Sequence, residues 1–246
     1  MPDATDLKYE RILIKLSGEA FSGNGSSNID PTFLKKITAE IRELIALKVQ
    51  VAIVIGGGNF FRGVSLAKQG VTRITGDHMG MIATMMNALV LRDAFEQAKM
   101  PTRILSALPV NGIIDGFNRR KAMHHLESGR IVIFAGGTGS PLVTTDSAAS
   151  LRAIEIEADV LLKATNVDGV YSADPIKEPQ AVLYDKLTYD AALKKELAVM
   201  DLNAFCQCRD FNMPIRVFNI NKPGVLLRVV MGANEGTLVS SLSEEE

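Results

Sequence analysis

Apolar residues along the chain alternate between short runs typical of strands and longer segments with helical spacing. The short runs are rich in β-branched and aliphatic residues, and most are apolar at consecutive positions, as in strands buried on both faces of a parallel sheet. The predicted strands are 11–17, 51–55, 102–107, 131–135, 159–164 and 215–218. Strands that alternate with helices indicate βαβ units, so we expect an α/β fold around a largely parallel central sheet.

Helical spacing of apolar residues predicts five helices. The first covers 30–48, where Asp30 can cap the helix and Pro31 suits its first turn. The third, fourth and fifth helices are expected at about 147–157, 188–195 and 202–212, and the second is described below.

The second predicted helix runs from about 77 to 99, opens at Gly76 and Asp77 and ends before Pro101. A helix start at a small residue followed by an acidic one, and a stop before proline, are common boundary signals. The side predicted to face the core consists of Met79, Ile82, Met85, Met86, Leu89 and Val90. We interpret this methionine-rich stripe as core packing.

Two lysines stand at the ends of predicted strands. Lys15 is followed by Ser17 and Gly18, and a glycine there would let the backbone approach a phosphate closely. Lys163 ends another buried strand, where a lysine must find an anion or reach solvent. Ligands of open α/β sheets bind outside the carboxyl ends of the strands, which makes both lysines candidates for anion binding. Taken alone, Lys15 is also consistent with a solvated surface lysine.

Three consecutive glycines, 56–58, follow the second strand, and Arg62 comes shortly after them. Successive glycine amides can form a concave anion site, and an arginine can add a charge-assisted fork to a phosphate. A flexible turn is the alternative interpretation. Position 61 is Phe where a Rossmann motif needs Gly, and the sequence has no Gly-Lys pair for a P-loop, so the two commonest nucleotide motifs are excluded.

A second glycine-rich segment, 136–139, leads through Thr144, Thr145 and Asp146 into the third helix. Free amides and the helix dipole make such a helix start a suitable anion site. Thr145 or Asp146 could equally be a plain N-cap. A polar loop with turn residues, 164–175, follows Lys163.

Composition and charge exclude several classes of protein. The 246 residues are 47% hydrophobic, and 27 Lys and Arg stand against 28 Asp and Glu, which disfavours nucleic-acid binding by a global positive field. No apolar run is long enough for a membrane helix, and the N-terminus does not look like a secretion signal, so we expect a cytoplasmic protein without a membrane partner. The two cysteines, Cys206 and Cys208, are too few for a disulfide framework or a zinc site, and we expect them to be plain helix residues.

The motifs in combination resemble those of bacterial UMP kinases in the amino acid kinase superfamily. The strings that carry the resemblance are KLSGEA, VIGGGN with FRG, GDHMGM, GTG-P-TTDSAA, IEADV-LKAT-VDGVY-ADP and PIRVFN-NKPG, in order and at the family's spacing. They cover the chain from about Lys8 to Val239. The resemblance implies a three-layer α/β/α sandwich as one domain, 1–246, with the acceptor side in the N-terminal part and the ATP side at about 160–240.

The resemblance also implies a set of site residues. Lys15, Lys163 and Asp146 would be catalytic, with Asp146 orienting the lysines. ATP would be bound by Lys15, Leu16, Ser17, Gly18, Gly58, Arg62, Thr165, Asn166, Tyr171 and Asp174. UMP would be bound by Gly57, Asp77, Thr138, Gly139, Ser140, Pro141, Leu142, Val143, Thr144 and Thr145, with Asp77 on the ribose. Family members often have Asn and two aromatic residues where this chain has Ser140, Leu142 and Val143, so contacts to uracil are expected to differ in detail.

The expected reaction moves the γ-phosphoryl group of ATP onto UMP in the synthesis of pyrimidine nucleotides such as CTP. Lys15 and Lys163, approaching from opposite strands, would neutralise the spreading charge together with glycine amides and Mg²⁺. We find no carboxylate pair spaced to ligate Mg²⁺ directly and expect ATP oxygens and water to hold it. The acceptor is already an ionised phosphate and needs no general base, so the histidines, His78, His124 and His125, are interpreted as structural or exposed.

Regulation and assembly follow from the resemblance alone. It implies a homohexamer, activation by GTP and inhibition by UTP. The candidate effector residues are Gly23, Asn24, Gly25, Ser26, Ser27, Asn28, Arg92, Arg103 and Arg130. Each is also consistent with an exposed loop or a surface charge.

Two alternative functions remain at this point. One is a kinase of the same superfamily that acts on aspartate, glutamate, acetylglutamate or carbamate. Asp77 and Arg62 fit a nucleoside monophosphate better than these small acceptors. An aspartokinase is also disfavoured, because no regulatory domain follows the catalytic part. The other is a storage or sensor protein that binds nucleotide without turnover. The presence of both lysines and Asp146 disfavours that second alternative.

Overall fold

The computed structural model describes residues 7–22, 28–61, 70–197 and 199–241. Its strands are β1 Arg11–Leu16, β2 Gln50–Ile55, β3 Thr102–Ser106, β4 Asp115–Gly116, β5 Ile131–Ala135, β6 Val160–Thr165, β7 Lys186–Thr188, β8 Ile215–Asn219 and β9 Thr237–Ser240. Its α-helices are α1 Pro31–Ala46, α2 Arg73–Gln97, α3 Arg119–Glu127, α4 Thr145–Glu155, α5 Tyr189–Lys194, α6 Leu202–Asp210 and α7 Val225–Val230. A short 3-10 helix, Gly18–Phe21, follows β1.

Within the described residues the strands form one nine-stranded sheet in the order β4-β3-β5-β2-β1-β6-β8-β9-β7. All neighbouring pairs are parallel except β8 and β9. β1 lies in the middle, with the strands of the first half of the chain on one side and β6 to β9 on the other. The carboxyl ends of β1, β2, β5 and β6 therefore meet at one edge of the sheet.

Helices cover both faces of the sheet, which confirms the three-layer sandwich. Helices α1, α2 and α7 share a hydrophobic core with residues such as Ile12, Ile14 and Ile53. Helices α3 to α6 pack on the other face, against residues such as Leu13 and Leu161. Because side chains alternate along a strand, Lys15 and Lys163 share this second face with Leu13 and Leu161. The face that carries α4 is thus also the face that both lysines point to.

The predicted second helix is correct in existence but wrong in its start and its buried side. It begins at Arg73, four residues earlier than predicted, because the Thr72 side chain accepts a hydrogen bond from the amide of Thr75 and caps it. Ile82 and Met86, predicted to be buried, are 55% and 41% exposed. Apolar residues occur nearly all round this helix, so its periodicity does not define one face. The residues that pack inward include Met81, Met85, Ala88, Leu91 and Phe95.

Among the strands and α-helices, five were not predicted: β4, β7, β9, α3 and α7. The strands are at most four residues long and lie at or near the edges of the sheet, and α3 is a short, mostly polar helix. The sequence of α7, VLLRVV, is typical of a strand. It forms a helix because the buried carboxylate of Glu40 accepts hydrogen bonds from the amides of Gly224 (2.6 Å) and Leu226 (3.2 Å) and so caps its first turn.

No helix in the described ranges combines the length and apolar character that a membrane span requires.

Candidate active site

The site centres on one carboxylate held between two lysines. Lys15 and Lys163 are register partners on the neighbouring strands β1 and β6, so they stand side by side rather than on opposite strands. Lys15 Nζ lies 2.8 Å from Oδ1 of Asp146 as an ion pair, and Lys163 Nζ donates a 2.9 Å hydrogen bond to Oδ2. The side chains of all three residues are 12–16% exposed. The array therefore carries a net positive charge at a mostly desolvated position.

Charge and burial shift the pKa values of this array in identifiable directions. Burial alone would raise the pKa of Asp146, but the charges of Lys15 and Lys163 outweigh it and hold the pKa below its ordinary value. Burial lowers the pKa of Lys163, and the neighbouring Asp146 carboxylate opposes that effect only in part. Asp146 consequently stays ionised. The positive charge of Lys163, in contrast, depends on the presence of the Asp146 carboxylate.

The segment before α6 also contacts the array. Lys163 Nζ donates a 2.5 Å hydrogen bond to the carbonyl oxygen of Val199. Asp201 caps α6 by accepting from the amide of Ala204, and it also accepts hydrogen bonds from the hydroxyls of Thr144 and Ser147. Asp201 thus ties the beginnings of α4 and α6 together beside Lys163.

The glycine turn after β2 packs directly on its neighbours. A Cβ atom added at Gly18 would lie 2.4 Å from the amide nitrogen of Gly58, and one at Gly57 would lie 2.6 Å from the carbonyl oxygen of Gly80 in α2. The amide of Gly56 donates to the carbonyl of Leu16 (2.9 Å), which holds the turn against the end of β1. Only glycine fits such close backbone approaches.

A cavity of about 190 Å³ lies between this turn, helix α2 and the segment that enters α4. Its lining includes Gly57 and Gly58 on one side and Gly137 and Thr145 on the other. Backbone amides of a glycine turn and of a helix start favour a negatively charged group. The remaining lining residues are Phe61, Gly76, Asp77, Gly80, Met81, Thr84 and Val143.

Asp77 lies in this cavity and also orders the segment above it. Its Oδ2 atom accepts a 2.8 Å hydrogen bond from the amide of Leu142, and Arg73 Nε donates to Oδ1 at 2.9 Å. Leu142 adopts a left-handed backbone with φ of 67° and its side chain is 66% exposed. The carboxylate therefore connects α2 with the segment that was predicted to bind the acceptor.

Two further cavities lie on the other side of the lysines. One of about 240 Å³ is lined by Lys15, Ser17, Lys163, Thr165 and Asn166 among others. The other, of about 470 Å³, is lined by residues of β6 and of the following polar loop, including Lys163, Thr165, Tyr171 and Asp174. Lys163 and Thr165 line both cavities. The 240 Å³ cavity could hold phosphates, and the 470 Å³ cavity could hold a base with its ribose. The lysines would then lie between these two cavities and the 190 Å³ cavity.

The structure brings together most of the residues predicted from sequence, with several corrections. Leu16 is fully buried in the core, so only its backbone is left for a contact to ATP, and its assignment stays a prediction. The N-cap of α4 is Thr144, not Thr145 or Asp146: its hydroxyl accepts from the amides of Asp146 and Ser147. Asn166 lines the smaller cavity with Ser17 rather than the larger one with Tyr171. Of the rest of the predicted acceptor loop, Ser140 is exposed, and its amide donates to the Thr138 hydroxyl.

Some predicted residues lie outside the described residues or away from the site. Arg62 and Gly23, Asn24, Gly25, Ser26 and Ser27 are outside the described ranges. Arg103 pairs with Glu96 at 3.5 Å, and Arg130 lies 3.0 Å from Nδ1 of His125. The effector assignment of these arginines, of Arg92 and of Asn28 stays a prediction.

Sequence reasoning missed Asp201, Thr84 and Asn87. Asp201 looks like an ordinary N-cap, and its partners are 54–57 residues away in sequence, so no local pattern reveals them. Thr84 and Asn87 are polar residues within a helix of mixed pattern. Thr84 and Asn87 lie one helical turn apart, next to the buried Met85 and Ala88. Polar side chains at such positions need specific partners, and this was the signal in the sequence that could have revealed them.

Comparisons with known proteins agree with this geometry. Residues 10–219 match the model of the amino acid kinase family. A protein named uridylate kinase from Coxiella burnetii is 67% identical over 231 residues, covering 94% of this chain and 95% of its own. The crystal structure of UMP kinase from Bacillus anthracis has a TM-score of 0.93 at 39% identity, covering 96% of this chain and 97% of that one. UMP kinase from Ureaplasma parvum has a TM-score of 0.90 at 36% identity and covers 95% and 100% of the two chains.

The chain belongs to the amino acid kinase family. Its relatives described above are named uridylate kinase or UMP kinase.

Proposed function

We propose that this protein is a UMP kinase that transfers the γ-phosphoryl group of ATP to UMP, giving UDP and ADP. The observation that carries the proposal is the Lys15–Asp146–Lys163 array, which lies between a cavity lined by glycine amides and a larger cavity next to β6. The likeness to uridylate kinases along nearly the whole chain supports the choice of acceptor.

The chemistry requires positioning and charge rather than covalent catalysis. The transferred phosphoryl group spreads negative charge over its oxygens, and fixed cations stabilise that charge best in a desolvated site. Lys15 and Lys163 would stand on either side of the transferred group, with Asp146 fixing their ammonium groups. The amides of Gly57 and Gly58 and the start of α4 would hold the acceptor phosphate in line.

The acceptor needs no general base. A nucleoside monophosphate has a second pKa of about 6, so its attacking oxygen is already ionised at neutral pH. Asp77, which lines the acceptor cavity, would accept hydrogen bonds from the ribose hydroxyls. The histidines are not required in this mechanism.

Mg²⁺ would accompany ATP in this proposal. In the described part of the chain no three His, Cys, Asp or Glu side chains converge as a ligand set, and both oxygens of Asp146 face lysines. The donor chemistry therefore suits a cation held by triphosphate oxygens and water. When bound, the cation neutralises phosphate charge.

Assembly, regulation and location are further parts of the proposal. We propose a cytoplasmic homohexamer that is activated by GTP, inhibited by UTP and supplies UDP for CTP synthesis. Ile74 and Ile82 on α2, both more than half exposed, support an association surface on this helix. We also propose one domain over 1–246, with the acceptor side before β6 and the ATP side at about 160–240.

The main alternative acceptor is a small carboxylate or carbamate. The carboxylate of such an acceptor would be repelled by Asp77 where the two lie close together, whereas a ribose hydroxyl would donate a hydrogen bond to Asp77. A ribose does not have this cost. Asp77 consequently favours the nucleotide.

The test is an ADP-release assay with UMP, CMP, dUMP, aspartate, glutamate and carbamate as acceptors. We expect turnover with UMP alone or strongly preferred, and we expect Asp77→Ala chiefly to raise the KM for UMP. Asp93→Ala, at an exposed position on the same helix, is the matched control and should leave both constants unchanged. Turnover with an amino acid and not with UMP, or ATP binding without any acceptor-dependent ADP, would refute the proposed function.

A further inference from the structure

Helix α2 carries two buried polar side chains on the side that faces the sheet. Asn87 is 0% exposed and Thr84 is 2% exposed, and they are separated by about one helical turn. A buried polar group without a partner destabilises a fold, so such residues are expected to have specific hydrogen-bond partners. Both of them have partners in glycine turns.

Asn87 holds the turn that follows β2. Its Nδ2 atom donates to the carbonyl oxygen of Gly56 (2.8 Å) and to Oδ1 of Asn59 (2.7 Å), and its Oδ1 atom accepts from Nδ2 of Asn59 (2.9 Å). Asn59 Nδ2 also donates to the carbonyl of Asn28 (2.7 Å). Backbone carbonyls only accept, so the contacts to Gly56 and Asn28 fix the orientation of both amides.

Thr84 holds the turn that follows β5. Its hydroxyl donates to the carbonyl of Met81 (2.6 Å) and accepts from the amide of Gly136 (2.8 Å). Gly136 has a φ of 73°, and a Cβ atom there would lie 2.6 Å from Oγ of Ser106, so this turn also approaches its surroundings closely. The hydroxyl thus anchors the backbone at Gly136, a residue that has no side chain of its own.

The two turns follow the neighbouring strands β2 and β5, and both line the 190 Å³ cavity. Gly57 and Gly58 belong to the first turn and Gly137 to the second. Glycine amides can bind an anion tightly only when the backbone that carries them is fixed, because glycine itself restricts φ and ψ least. Helix α2 therefore contacts two turns that are distant in sequence, through Gly56 and through Gly136.

We propose that Asn87 and Thr84 are positioning residues that hold the two glycine turns at the separation the acceptor phosphate needs. The inference rests on the proposed function, because it assigns the cavity to the acceptor. Asn87 does not line the cavity, so it acts only through the turn and through Asn59. Thr84 does line the cavity, but its hydroxyl is engaged by Met81 and Gly136. Small displacements of such groups are costly, since about 1 Å of misplacement can lower a rate by about a hundredfold.

The first test compares Thr84→Val, which removes the hydroxyl and keeps the shape, with Thr84→Ser, which keeps the hydroxyl. We expect Thr84→Val to lower kcat/KM for UMP by about tenfold or more while the KM for ATP stays within about twofold, and Thr84→Ser to retain most of the activity. Thr102→Val is the matched control. Thr102 is equally buried, and its hydroxyl donates to the carbonyl of Met100 (2.9 Å), which lies outside the two glycine turns.

The second test uses Asn87→Ala, Asn59→Ala and the double variant. If the two amides act as one unit, the double variant should lose about as much kcat/KM for UMP as either single variant, not the product of the two losses. Thermal unfolding of each variant establishes that it is folded. Hydrogen exchange of 56–61 and 134–140 reports the turns directly: Asn87→Ala should speed exchange in the first segment and Thr84→Val in the second.

The outcomes separate this inference from the proposed function. Equal losses for UMP and ATP, or a Thr84→Val variant as active as Thr102→Val, would overturn it. If the wild-type protein did not phosphorylate UMP, the proposed function would fail. Hydrogen exchange would still decide whether the two side chains hold the turns. Unchanged exchange in both variants would refute the positioning role.

Discussion

Asp146 is the residue that makes a pair of neighbouring buried lysines possible. Two ammonium groups on adjacent strands repel each other, and burial disfavours each charge further. The Asp146 carboxylate contacts both, with one oxygen for each lysine. The array therefore keeps one uncompensated positive charge, which is available to a phosphate.

Lys163 is expected to act on the rate rather than on binding. Lys163→Ala should lower kcat by about a hundredfold or more, because it removes a cation from the charge that develops in the transition state. The KM for UMP should change little. Lys121→Ala, at an exposed position on α3, serves as the control, and steady-state kinetics provide the measurement. An intact kcat in Lys163→Ala would show that its assigned role is wrong.

The alkaline side of the pH–rate profile should report Lys163. Burial lowers the pKa of Lys163 below its ordinary value of 10.5, so kcat should fall as rising pH removes its proton, at a lower pH than for a free lysine. Asp146 raises that pKa, so Asp146→Asn should move the alkaline limb to lower pH. Asp93→Asn should leave the limb in place. A limb that stayed fixed in Asp146→Asn, or moved to higher pH, would contradict this assignment.

Among the elements, the turns after β1 and β2 lie in close backbone contact with their neighbours, in addition to the side-chain hydrogen bonds described above. Gly18 lies against the turn at 56–58, and Gly57 lies against α2. These contacts explain why the sequence has glycine at positions where flexibility alone would not require it.

Neighbouring glycines of one turn should respond differently to alanine. A Cβ at Gly57 would meet backbone and Ala83 at 2.6–2.8 Å, whereas one at Gly58 would meet only Glu19 Cγ at 3.5 Å, an ordinary contact. Gly57→Ala should therefore lower the free energy of unfolding by about 1–3 kcal/mol, and Gly58→Ala should leave it nearly unchanged. Thermal and urea unfolding measure both. Equal stability of the two variants would mean that the turn does not pack on α2 as described.

The sequence predicts elements well where one pattern dominates and poorly where patterns conflict. The first helix was placed correctly because Asp30 and Pro31 mark its start and its apolar spacing is regular. The prediction of the buried side of α2 was wrong because apolar residues occur nearly all round that helix. Helix α7 was not predicted because its sequence is strand-like and its cap is a glutamate distant in sequence. Contacts between segments far apart in sequence decide such cases.

At the scale of the whole molecule, β1 is the centre on which both halves of the site depend. The strands on one side of β1 supply the glycine turns of the acceptor cavity, and β6 on the other side supplies Lys163 and the larger cavity. This convergence could be predicted from sequence, because carboxyl ends of parallel strands share an edge. The positions of Asp201, Thr84 and Asn87 could not, since they depend on how helices pack on that edge.

The most direct test is a crystal structure of the protein with UMP and a non-hydrolysable ATP analogue. We predict that Lys15 Nζ and Lys163 Nζ each lie within about 3 Å of phosphate oxygens, between the two nucleotides. We predict that the UMP phosphate lies against Gly57 and the start of α4. A complex in which the nucleotides bind elsewhere, with neither lysine near a phosphate and the glycine turns facing solvent, would contradict the account.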